Sequence, residues 1–314
     1  HAPAVIGFDI LFTGKQDPNI DKQFADECMK NNNVVVAMNL LFGTEVNIND
    51  NIINSNNSIT GVSTAYPELF NATESGYVNT VLDSNDGYVR KCIPVVKHKD
   101  NVYESFSYKI YSKYQSYIGE EVNEYEYNKA LRFNYSSLPN EQYTIVSFCD
   151  VINGKIPLND FKGSIVLVGA FTEGLQDSFY VPISRGVKMH GVQIHANIIE
   201  AYYNHDFLED VNLVLNIIIA SLIITLVAIF TYKTKIVRLS IVVVASCVVT
   251  LILQTVLYKL GYYLPLINVL SIILLMYIVQ IIYQYVYEKT IKTKAIRAFK
   301  KYVDPQVVEN VIKQ

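Results

Sequence analysis

Three stretches without one charged side chain follow each other near the end of this 314-residue sequence: Asn212–Tyr232, Leu239–Leu257 and Leu264–Tyr287, of 21, 19 and 24 residues. A helix needs about 20 apolar residues to cross the hydrocarbon core of a bilayer. Three such runs, almost end to end, predict an all-α bundle of three transmembrane helices over 212–287 (about 212–232, 239–257 and 264–287) rather than buried helices of a large water-soluble core. Membrane lipid is therefore the first expected partner. The runs also account for a chain that is 51% hydrophobic and only 18% charged.

Charge divides along the same line. Residues 1–211 carry 15 Lys and Arg against 26 Asp and Glu, whereas residues 212–314 carry 11 against 3, so a net charge of −3 hides an acidic part and a basic part. Neither the total nor the acidic part suits nucleic acid, and no nucleic-acid partner is expected. The segment before the first run contains Glu200, Asp206, Glu209 and Asp210 and, from Met189 on, no Lys or Arg. Lys233, Lys235 and Arg238 follow the first run, and Lys289, Lys292, Lys294, Arg297, Lys300 and Lys301 follow the third. The positive-inside rule then puts residues 1–211 outside the plasma membrane and the C-terminus in the cytoplasm. No Asp, Glu, Lys, Arg or His lies within a run. That argues against a transporter or channel, whose ion pathway needs such groups near the midplane. Asn216, Ser221, Thr225, Gln254, Asn268 and Gln280 are left as candidates for helix-to-helix hydrogen bonds.

Residues 1–211 have the pattern of an α/β domain, with a mixed, mostly parallel sheet flanked by helices. Val5–Phe12 and Val34–Met38 are short apolar runs separated by a helix-like segment near Ile20–Lys30, which predicts a parallel strand–helix–strand crossover. Tyr77–Leu82 and Tyr88–Val96 flank the turn signal Asn85-Asp86-Gly87 and suggest an antiparallel hairpin. Tyr103–Tyr117 and Val192–Tyr203 read as helices, and Leu131–Tyr135 and Ile165–Gly169 as strands. The Asn-rich stretch Asn47–Asn57 has no period and is expected to be a surface insertion. Cys28, Cys92, Cys149 and Cys247 have no metal-type spacing, and free thiols are expected.

Four ordered blocks bring a known family into view. Phe8-Asp9-Ile10-Leu11-Phe12 opens the first. Gly76-Tyr77-Val78-Asn79, Asp83, Asp86-Gly87-Tyr88-Val89-Arg90 and Pro94 form the second. Lys162–Ala170 with Gly174-Leu175-Gln176-Asp177 and Pro182 form the third, and Gly191-Val192-Gln193-Ile194-His195-Ala196-Asn197 the fourth. Together they resemble a CHASE domain of type 2, an extracytoplasmic sensory module of bacterial receptors, and cover nearly all of residues 4–208. The three apolar runs that follow are usual for that family. Its front-end membrane helix is not in the sequence, which would fit a chain cut before His1.

Candidate ligand-binding residues come from these blocks. Asp9 stands near the C-terminal end of a strand, where open α/β sheets bind ligands, unless it serves a cap or turn. Asp83, Asp86 and Arg90 are either a ligand-facing charge cluster or the brace of their own hairpin. Gly169 and Gly174 have the spacing of a P-loop, but Leu175-Gln176 stand where Lys-Ser/Thr would hold phosphate and magnesium. A strand–loop–helix there still offers backbone N–H groups, which nominates Thr172, Gly174 and Asp177. His190 and His195 are five apart, which does not stack them as helical metal ligands, and Asp83–Gly87 departs from a calcium loop, so no metal is expected. His195 is either a ligand contact or a partner for backbone groups at the helix start.

After the third run, Ile291, Ala295, Ala298 and Tyr302 recur at heptad-like intervals. They would suit pairing in a homodimer, or a helix lying on anionic headgroups. Ala298–Val308 then resembles the connector that precedes class III adenylate and guanylate cyclase domains. That resemblance makes 288–314 a cytoplasmic linker to an output domain beyond Gln314, where Mg and ATP would bind. No cofactor and no catalytic residue is expected in this chain. The remaining expected partner is an extracellular ligand of unknown identity.

Overall fold

The computed structural model describes residues 3–47, 52–171, 177–232 and 234–302, with 44–47, 52–57 and 299–302 described through their backbone alone. The chain divides into two compact units, His1–Leu208 and Glu209–Gln314.

In the first unit, β1 (Val5–Asp9) leads to α1 (Pro18–Asn31), β2 (Val34–Asn47), β3 (Ile52–Ser63), α2 (Pro67–Ala72) and β4 (Glu74–Tyr77). The start of α1 is fixed by Asp17, whose carboxylate accepts from the backbone N–H of Asn19 and Ile20, with Pro18 as first helical residue. The expected crossover is present: β1 and β2 run parallel, Ile6 beside Val34 and Phe8 beside Val36. β2 is far longer than its apolar run. It pairs in parallel with β4 up to Met38, then antiparallel with β3 from Asn39 onward. The Asn-rich stretch is thus not an aperiodic insertion. Residues 52–57 are strand, held by pairing with β2 that includes two register shifts. Residues 48–51 lie outside the described residues.

β5 (Val81–Leu82) and β6 (Val89–Cys92) form the predicted antiparallel hairpin. A second hairpin, β7 (Val95–His98) and β8 (Asn101–Glu104), takes up Tyr103, so that α3 (Phe106–Ile118) starts later than its sequence suggested, capped by Ser105. β9 (Leu131–Phe133), α4 (Phe148–Ile152) and β10 (Ile165–Gly169) follow, then the small pair β11 (Ser178–Phe179) and β12 (Met189–His190). α5 (Gly191–Asn204) closes the unit, and β13 (Phe207–Asp210) runs across the division at Leu208.

Alternation along β1 sets the layers. Ile6 and Phe8 face the cluster of α1 and α2, with Ala25, Cys28 and Leu69. Val5 faces the opposite cluster of Phe106 and Ile110 from α3 and Ile199 from α5. Strands β10, β1, β2 and β4 are therefore covered on both sides, as parallel sheets require. The far sides of α3 and α5 pack on a second, antiparallel sheet through Tyr108, Tyr111, Ile198 and Tyr202, against Val89, Cys92, Leu131 and Phe133. α5 lies between two sheets, and ten of its fourteen residues are buried.

The second unit holds α6 (Leu213–Thr231), α7 (Ile236–Lys259), a short strand β14 (Tyr262–Tyr263) and α8 (Ile267–Tyr302). All three helices are long and apolar enough to span a membrane. They meet around Val227, Leu239, Val243, Leu266 and Ile273. Of the polar residues nominated for helix contacts, Gln280 donates from Nε2 to Thr231 Oγ1 at 3.0 Å. Gln284 to the Thr234 carbonyl and Ser240 with Tyr277 add two bonds that the sequence did not single out.

Candidate functional site

Residues alternate across a strand, so Asp9 shares the face of Val5 and Gly7 and points toward the α3–α5 side of the first sheet. It stands at the C-terminal end of β1, directly beside Gly169 at the end of β10. The crevice outside the carboxyl ends of parallel strands is where open α/β folds take ligands. A cavity of about 400 Å³ opens there. Asp9, Asp177 and His195 line it, together with Asn39, Asn79 and Thr80.

Local structure fixes each wall. Asn79 imitates a strand partner: its amide donates to the Leu40 carbonyl at 2.9 Å and accepts from the Leu40 N–H at 2.8 Å. This holds Val78-Asn79-Thr80 against β2. Asp177 precedes β11, and its carbonyl accepts from the Gly191 N–H at the start of α5. A Cβ at 191 would lie 2.5 Å from Asp177 Oδ2, so the bare Gly191 lets the Asp177 carboxylate rest against the start of α5. At Gly169 a Cβ would come within 2.9 Å of Val192, so the bare backbone lets α5 approach β10 and Asp9.

The electrostatics centre on the two carboxylates. Asp9 Oδ2 is buried and has no hydrogen-bond partner. Burial and then the charge of Asp9 raise the pKa of Asp177 above the usual carboxylate value, with His195 and His190 pulling it back. The start of α5, with its partial positive charge, favours an anion at Asp177. His195 is nine-tenths buried. Its Nδ1 lies 2.8 Å from Ser107 Oγ, and its ring meets Phe106 edge-on at 5.1 Å. Its partner is thus a hydroxyl on α3, not the backbone groups at the helix start.

Arg90 is not brought to this cavity. It is bidentate to Asp86 at 2.6 and 2.7 Å, reaches Asp83 at 3.1 Å and lies over the Tyr88 ring. Hydrogen bonds from Arg90 hold the Asp86 carboxyl down to about 2. Of the two readings of this cluster, the geometry is that of a hairpin brace. Thr172 and Gly174 lie outside the described residues. Ile291, Ala295 and Ala298 sit on α8, Ile291 about half exposed. The side chain of Tyr302 is not described. Among the described residues no group of three His, Cys, Asp or Glu could hold a metal ion. The wall residues Asn39 and Thr80 were missed from sequence, since neither carries a charge or a motif position. Asn79 belonged to a quoted motif but showed no role until its bonds to Leu40 were seen.

Comparison with known families gives one finding. The model described as CHASE2 domain matches residues 1–230, from the first unit into α6. No curated protein and no solved structure matches.

Proposed function

The chain belongs to the CHASE2 domain family of extracytoplasmic sensors of signalling receptors, and from this premise we propose that it is the sensory and membrane-anchoring portion of a bacterial transmembrane receptor governing a nucleotide cyclase. The family match over 1–230 carries the reading, and the three spans after the sensor agree with it. The cyclase, converting ATP to cyclic AMP with Mg, would follow Gln314; support for it is the cyclase-like connector at Ala298–Val308. The excess of Lys and Arg after the first and third spans supports an outer N-terminal unit and a cytoplasmic C-terminus.

In this reading a small molecule enters the cavity at the ends of β1 and β10. It binds one of two arrangements of a homodimer better than the other, and only that difference in affinity does work. Coupling of this kind is typically worth about 1–3 kcal/mol. His195 and Gly191 belong to α5, which leads through β13 to the first span. The seam Ile291, Ala295, Ala298 and Tyr302 would set how two output domains meet.

Two measurements test this. A membrane-impermeant maleimide applied to intact cells should label Cys149, an exposed thiol of the first unit, but leave the buried Cys28 and Cys92 unlabelled. Cells without a cyclase of their own should accumulate cyclic AMP when the whole receptor is expressed. Protein phosphorylation in place of cyclic AMP would keep the sensor and replace the output with a kinase.

A further inference from the structure

At two other places in the first unit a cation stands between two carboxylates. Arg90 bridges Asp83 and Asp86, and Lys109 bridges Glu74 and Glu104. The pair at the cavity is treated differently. Asp9 Oδ2 is buried without a partner, and no Lys or Arg is among the described residues lining the cavity. Two histidines, His195 and His190, stand close enough to act on Asp177. Both are buried, and His195 is already engaged with Ser107. A buried carboxylate oxygen without a partner is costly, so a folded chain keeps one where something else completes it.

We propose that the cavity binds a small organic cation, its ammonium group set between Asp9 and Asp177 in the role that Arg90 and Lys109 fill for the other two pairs. The proposal rests on the cavity being the sensory site and names the class of ligand it takes. About 400 Å³ is far more than a bare ion needs and is in the range of small-molecule pockets. A metal ion is disfavoured also by the donor set, since among the described residues no three His, Cys, Asp or Glu stand together to hold one. Val78, Leu82 and Phe179 give the cavity an apolar side for a short carbon chain. Asn39 and Thr80 add polar groups to the lining, suited to a hydroxyl or amide on the ligand.

The test uses the full chain in lipid nanodiscs. Thermal midpoints at pH 7.5 are measured with putrescine, ethanolamine and choline. Each is paired with its uncharged counterpart, 1,4-butanediol, ethylene glycol and 3,3-dimethylbutanol. Calcium and magnesium chloride form separate arms. At least one amine should raise the midpoint by about 5 °C near 100 times its Kd, with its uncharged counterpart giving under a fifth of that. Asp9→Asn and Asp177→Asn should each weaken that amine at least tenfold. Asparagine keeps the volume, and each variant's own midpoint reports its folding, so one folded variant suffices. The proposal is overturned if no amine at 10 mM exceeds its counterpart, if the amine effect survives both substitutions, or if calcium or magnesium alone gives the acid-dependent shift. Uncharged compounds whose binding is lost in Thr80→Trp would remove the cation and leave the sensory cavity. Cyclic AMP output indifferent to a bound amine would remove the sensory role and leave the amine site.

Discussion

α5 and α6 are both apolar helices, yet they treat their surfaces in opposite ways. α5 buries ten of fourteen residues between two sheets. α6 buries only Val227 and Thr231 among nineteen and leaves Leu213, Ile217, Leu222 and Phe230 more than half exposed. α6 is the more apolar of the two by far and yet the less buried, so burial follows what surrounds each helix and not its hydrophobicity. Water drives apolar atoms inward in the first unit, whereas lipid makes no such demand of the second. Polar groups follow the same division. In the first unit they reach across the sequence, as when Asn197 Oδ1 accepts from the backbone N–H of both Ser136 and Ser137. In the second most serve their own helix: Thr231, Ser246, Thr250 and Thr255 each donate to the carbonyl four residues back.

The largest expected effect probes the first unit. Asn197→Ala leaves two backbone N–H groups and the Gln193 carbonyl without their side-chain partner, at a cost of about 3 kcal/mol. Leu222→Ala, on the surface meant for lipid, should change stability by less than about 0.5 kcal/mol. Equal losses in denaturant titrations of the two variants would break the contrast. A smaller effect sharpens it: Gln280→Leu removes the bond to Thr231 and should cost about 0.6 kcal/mol, the scale of hydrogen bonds between membrane helices, in reversible unfolding from mixed micelles.

The smallest effect is a pH slope. Asp177 has a raised pKa in the folded chain, so between the ordinary carboxylate value and that raised value the folded state holds more protons than the unfolded one. Stability then falls as pH rises through this window. Asp177→Asn should flatten that fall, and a slope unchanged by the substitution would mean that neither burial nor Asp9 raises Asp177.

Legibility in the sequence followed the range of the interaction. The three spans were plain because 20 consecutive apolar residues need no partner to be recognised. β1, α1, β10 and α5 were also readable, each from local periodicity and short signals. β3 was not. Its Asn and Ser content argues against strand, and what holds residues 52–57 is pairing with β2, whose register is invisible along the chain. α2, only six residues long, was too short for a period. At the site, Asp9, Asp177 and His195 were nominated separately, and the fold brings them to one cavity. Arg90 was nominated with them and is spent on its own hairpin. The Ser107 partner of His195 lies 88 residues away, beyond any pattern read along the chain.

α8 runs unbroken from Ile267 to Tyr302, 36 residues with no Gly or Pro, a rod of about 54 Å. A bilayer core accounts for about 30 Å of that, and the basic stretch from Lys289 continues the same rod. Such a shaft has no joint at which to bend. Whatever is fastened to its far end receives a turn or a slide undamped, and each residue added to or taken from the shaft would reset the bearing of that cargo by about 100°.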